Sequence, residues 1–161
     1  MPRRRGLRPR LLAAVVRSVV RSAFTAERQD VSRTDGMRYW TESEDLWCAS
    51  QSGVCWRGRP DGHPVVFAAP LPGTDDAVVL LNAESGPRDA QGDLRGWAHL
   101  VRIRPDGAVV WRAFAGVDAS DRDWWVSVDA TADGLFANTW SCYRRRLDEA
   151  SGRALSSVFT K

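Results

Sequence analysis

With 161 residues, 43% of them hydrophobic and 27% charged, the chain can bury one core and is neither a disordered tail nor two full domains. Three Cys and two His are too few for a disulfide framework or a zinc site of the usual kind, and no apolar run approaches the roughly 18–20 residues that span a bilayer. The net charge of +3 is uneven: residues 1–36 hold nine Arg against three acids, whereas residues 37–161 hold 14 basic and 17 acidic residues, so no nucleic-acid footprint is expected over the body.

Residues 1–36 read apart from the rest. Around Leu11-Leu12-Ala13-Ala14-Val15-Val16, a helix turning by about 100° per residue would gather Arg10, Arg17, Arg21 and Arg28 on one side. Leu12, Val15, Val16, Val19 and Ala23 would lie opposite. Such a basic amphipathic segment, over 10–28, suits an anionic membrane surface or an acidic partner. A signal peptide fits less well, because Arg17 interrupts the apolar region after six residues. The plain alternative is a disordered or mis-assigned leader ahead of Met37; all but one of the 23 basic residues are Arg, as GC-rich coding would give. The expected division is therefore 1–36, a basic extension, and 37–161, the folded domain, with a cytoplasmic location expected and secretion left open.

From Met37 onward, short apolar or alternating runs are separated by Gly, Pro, Asp and Ser. Ten strands are predicted: 46–50, 54–59, 64–69, 77–83, 97–104, 108–114, 124–129, 135–140, 142–147 and 153–159. Pro60-Asp61-Gly62, Pro105-Asp106-Gly107 and Ala132-Asp133-Gly134 supply turns, with Gly at the positive-φ position. No stretch sustains a helical period. Gly62, Gly107 and Gly152 recur every 45 residues, and Arg57-Gly58-Arg59-Pro60-Asp61-Gly62 aligns with Arg102-Ile103-Arg104-Pro105-Asp106-Gly107. The expected fold is all-β: antiparallel blade-like meanders, about two and a half repeats, forming a small twisted sandwich or partial propeller.

Leu147-Asp148-Glu149-Ala150-Ser151-Gly152 and Gly107-Ala108-Val109-Val110-Trp111 carry a resemblance. They are similar to the turn and to the Gly-x-x-x-Trp docking element of the quinoprotein-type (PQQ-like) β-propeller repeat. The resemblance covers roughly 46–161. It implies that Trp111 packs between neighbouring blades. The third copy departs from it, with Ser156 where Trp would stand, and the first has Phe67 one residue late. Closure of a propeller takes about four to eight blades, so this stretch is too short to close one alone, and open sheets leave edges for a partner or a second copy. PQQ binding is not expected, because the enzymes of that family use a full propeller and a metal site. No cofactor is expected.

Five residues stand out as candidate binding groups. Alternation places Trp97, His99, Val101 and Ile103 on one apolar face, so His99 reads as a satisfied core residue or a cleft group. Tyr143, Arg145 and Leu147 share a face, and a buried Arg145 needs a carboxylate or a bound anion unless it snorkels to solvent. Trp124 and Trp125 must point to opposite faces of their strand, so that one is in the core and the other either lies under a loop or a second copy or is free for a partner or sugar-stacking surface. His63 should be exposed after its turn. Cys48, Cys55 and Cys142 read as reduced, buried thiols; a Ser52-Gly53 hairpin would set Cys48 opposite Arg57, not Cys55. Asp118, Asp121 and Asp123 lack the remaining ligands of a calcium loop and read as solvated acids.

The sequence therefore predicts a non-enzymatic β-repeat interaction module of unknown protein partner or homodimer. The alternatives are a ligand-binding protein or enzyme with a cleft around Arg145, His99 and Tyr143, and a truncated propeller fragment without a role of its own.

Overall fold

The computed structural model describes residues 36–93, 97–116 and 122–160. The leader 1–35, and Asp118 and Asp121 of the acidic loop, lie outside the described residues. Among the described residues the regular structure is strand and two single 3-10 turns, and no helix is long and apolar enough to cross a membrane. The strands are β1 (Arg38–Glu42), β2 (Asp45–Ser50), β3 (Gly53–Gly58), β4 (Val65–Pro70), β5 (Ala77–Leu81), β6 (Leu100–Ile103), β7 (Val109–Ala113), β8 (Trp125–Thr131), β9 (Gly134–Thr139), β10 (Tyr143–Leu147) and β11 (Ala154–Phe159). They form three antiparallel sheets in chain order: β1-β2-β3, β4-β5-β6-β7 and β8-β9-β10-β11.

The middle sheet sets the arrangement. Ala77-Val78-Val79-Leu80-Leu81 is buried at every position, although strand neighbours point to opposite faces. Ala77, Val79 and Leu81 pack with Leu46, Val65, Val101 and Ile103 toward the first sheet. Val78 and Leu80 pack with Trp111, Trp125, Val128, Leu135 and Leu147 toward the third. A sheet apolar on both faces must be covered on both, and the outer sheets do this.

Each sheet also latches onto the next by setting a Trp on a Gly. Trp111 of β7 lies against Gly152 in the β10–β11 turn, where a Cβ would come within 2.6 Å of the indole. Its Nε1 donates to the Glu149 carbonyl (2.8 Å), and so does Arg102 Nη1 (2.8 Å), while Arg102 Nε pairs with Asp76 (2.7 Å). The docking expected of Trp111 is therefore present. Trp56 of β3 does the same at Gly107, with 2.3 Å left for a Cβ.

This pairing corrects the predicted repeat frame. Gly62 is not the first copy: Pro60–Gly62 is a 3-10 turn in which both Asp61 (φ 48°) and Gly62 (φ 78°) turn left-handed, and it carries the chain from the first sheet into the second. The equivalent hairpins are β2–β3, β6–β7 and β10–β11, so Gly53-Trp56, Gly107-Trp111 and Gly152-Ser156 correspond. The first sheet has no counterpart of the innermost strand; β1 lies along β4, where Val65 N–H donates to the Glu44 carbonyl (2.8 Å). The sequence reading also missed β1 and began 97–104 too early, for that strand starts at Leu100.

The cysteines need correction as well. A bulge at Cys48/Ala49 shifts the register so that Cys48 faces Trp56. Cys48 is buried, and burial pushes its thiol up, but Cys55 and Cys142 are exposed.

Positive φ and crowding separate cleanly at two glycines. Gly73 (φ 75°) has open space where its Cβ would stand, whereas Gly152 (φ 71°) has Trp111 there. Gly73→Ala is expected to cost about 1 kcal/mol from backbone strain alone. Gly152→Ala adds overlap with the latch, for a total of about 2–4 kcal/mol. Urea unfolding of the two variants measures the difference.

Candidate functional site

Three of the five predicted site residues meet at the junction of the second and third sheets, around Trp125. Trp125 opens β8 and is 2% exposed. Its Nε1 donates to the Ala113 carbonyl at the end of β7 (2.9 Å). Its own carbonyl accepts from His99 Nε2 (3.0 Å), and the Arg145 guanidinium lies over its ring, 5.8 Å from the centroid. Three of the five candidates, His99, Trp125 and Arg145, thus form one cluster.

His99 is 1% exposed, as a satisfied core residue should be. Its Nδ1 sits 3.4 Å from the Trp97 carbonyl and its ring stacks on Trp97 at 5.3 Å. A neutral imidazole has one N–H to give, and the shorter contact assigns it to Nε2. Burial pushes its pKa below the ordinary value, and the two carbonyls only partly offset this. The ring is a neutral brace between the sheets and not a proton carrier open to substrate.

The other two candidates point elsewhere. Trp124 faces away from Trp125 and stacks on the exposed Trp140 at 5.4 Å. Tyr143 is exposed and meets Phe159 of β11 edge-on at 5.4 Å. Arg145, Tyr143 and His99 do not line a common cleft. A cleft of about 490 Å³ among the described residues is lined instead by Asp61, His63, Trp97, Arg112, Phe114 and the Ser85–Pro87 turn. There Arg112 pairs with Asp61, and burial lowers the Arg112 guanidinium from its ordinary value. His63, expected to be exposed, is half-buried against Trp97 at 5.0 Å. Sequence reasoning missed this cleft. Its walls come from four separate segments, and Asp61 and His63 read as turn residues. Gly86, whose Cβ would strike Trp97 at 2.2 Å, was the nearest signal.

The outer faces differ in character. That of the third sheet is polar: Asn138 donates to Ser127 (2.8 Å), Arg144 pairs with Asp129 (2.9 Å) and lies over Phe136 (4.8 Å). That of the first sheet is aromatic, with Trp40 stacked on Trp47 (5.7 Å), Arg57 over Trp47 (4.3 Å), and the Trp47 indole N–H buried without an acceptor. The last strand, β11, is exposed along its whole length, including Leu155 (62%), Val158 (62%) and Phe159 (57%). Among the described residues no group of His, Cys, Asp or Glu is placed to hold a metal ion.

No protein-family model matches the chain, and no curated protein does. Among solved structures, BamB from Moraxella catarrhalis superposes over 81% of this chain with 14% identity and a TM-score of 0.46. The computationally designed protein Ika8 also covers 81%, with 6% identity and a TM-score of 0.43. The chain spans 36% of the first and 37% of the second, little more than a third of either.

A buried neutral His fixes the sign of a pH effect. The unfolded chain takes up a proton near the ordinary value of about 6.5, and the folded chain resists it until its lower pKa is reached. The contribution is therefore whole above about pH 6.5 and is lost as pH falls from there through the depressed folded value. Urea unfolding at pH 7.5 and pH 5 should show the loss in the native chain, at up to about 1.4 kcal/mol per pH unit, and a smaller loss in His99→Gln.

Proposed function

We propose that the chain is a β-repeat binding module that engages a protein partner through β11, and that it does so without catalysis. The observation that supports this is the state of that strand: among the described residues it is an edge with no strand on its outer side, and it carries three large apolar side chains, each more than half exposed. A free edge offers a row of backbone donors and acceptors to an incoming strand, and alternate side chains give it apolar anchors. On one face of β11 the Tyr143–Phe159 pair extends the apolar surface, and on the other Val158 stands beside Arg144. The same edge admits a second copy of the chain.

A photo-crosslinking residue placed at Phe159 in the full chain is expected to capture one discrete protein species, or a dimer, in the native cell. The same residue at the exposed Thr131 should not. Equal capture at both positions, or none at Phe159, counts against the reading. So does robust turnover by the purified chain in a broad hydrolase and oxidoreductase screen.

A further inference from the structure

Arg145 is the one guanidinium buried among the described residues, with 9% of its surface exposed. Among the described residues its Nε is closed off from solvent without an acceptor. The residues around it explain why. On its own strand Tyr143 and Leu147 share its face; across the ladder stand Ala137 of β9 and Ser157 of β11. None of these carries a carboxylate. Asp129 is on the opposite face and already holds Arg144. Trp125 supplies a ring face under the guanidinium, which attracts the cation but leaves Nε–H unanswered. A buried charge in this position is costly unless something completes it.

We propose that Arg145 is the receptor for a small oxyanion, a carboxylate or a phosphate, seated between the second and third sheets. The guanidinium is planar and matches two oxygens of such an anion, which a neutral acceptor would not exploit. Ser157, exposed and directly across on β11, would add its hydroxyl as a second donor. The site stands whether or not β11 takes a protein partner.

The test uses the full chain with inorganic phosphate and acetate as separate probes, each titrated at constant ionic strength against chloride. Arginine Nε–H resonances are followed by NMR, with the Arg145 signal assigned by its loss in Arg145→Lys. Saturable movement of that signal with either probe supports the proposal, and which probe acts at lower concentration separates phosphate from carboxylate. In parallel, the melting temperature of the native chain should rise by about 3–8 °C at ten times the dissociation constant, and that of Arg145→Met should not. A stationary Arg145 signal with both probes overturns the proposal; a buried water answering Nε would behave this way. Equal rises in both proteins, the mark of a general salt effect, also overturn it. If Arg145→Met fails to fold, the titration of the native chain decides alone.

Discussion

The structure depends on a sheet that is apolar on both faces. β5 carries five buried apolar residues in a row, and no two-layer arrangement can satisfy them, since alternate side chains leave the strand in opposite directions. One neighbour must cover Val78 and Leu80, and another must cover Val79 and Leu81. Three stacked sheets follow. The outer two then need only one apolar face each, which is why β2 and β8–β10 mix buried positions with half-buried or exposed ones while β5 does not.

The latches turn this coverage into a fixed geometry. Apolar contact is non-directional and would let the sheets slide. A Trp ring resting on a Gly backbone does not, because the fit exists at one register only. Trp56 on Gly107 and Trp111 on Gly152 therefore set the offset between successive sheets. Trp125 adds a third tie, from its indole N–H to Ala113 and from His99 back to its carbonyl. The candidate site is built from these ties: His99, Trp125 and Arg145 come together because the sheets meet there.

Much of this was legible in the residues. All ten predicted strands are present, and Gly107-x-x-x-Trp111 marked a real docking element. The repeat frame was misread because Pro-Asp-Gly specifies a local turn and says nothing of where the chain goes next. At 105–107 it closes a hairpin; at 60–62 it leaves one sheet for another. The true counterpart, Gly53-Val54-Cys55-Trp56, is one residue shorter than Gly107-x-x-x-Trp111, so a fixed spacing passed over it. β1 escaped because Arg38-Tyr39-Trp40-Thr41-Glu42 is polar at its ends and half-exposed along its length. The face-sharing of Tyr143 and Arg145 was correct. That Tyr143 turns to Phe159 while Arg145 turns to Trp125 depends on the position of each along the strand, and alternation carries no information about that.

The Glu149 carbonyl has a wider consequence. It accepts both the Trp111 indole and the Arg102 guanidinium, so the junction of two sheets hangs on an oxygen that every amino acid possesses. The side chain at 149 takes no part in either bond. Substitution there is free to drift while the joint persists, provided the turn keeps its shape. A contact written in the peptide backbone is inherited through chain geometry and leaves no trace in residue identity, so two proteins can share such a joint while their sequences have nothing in common at that position.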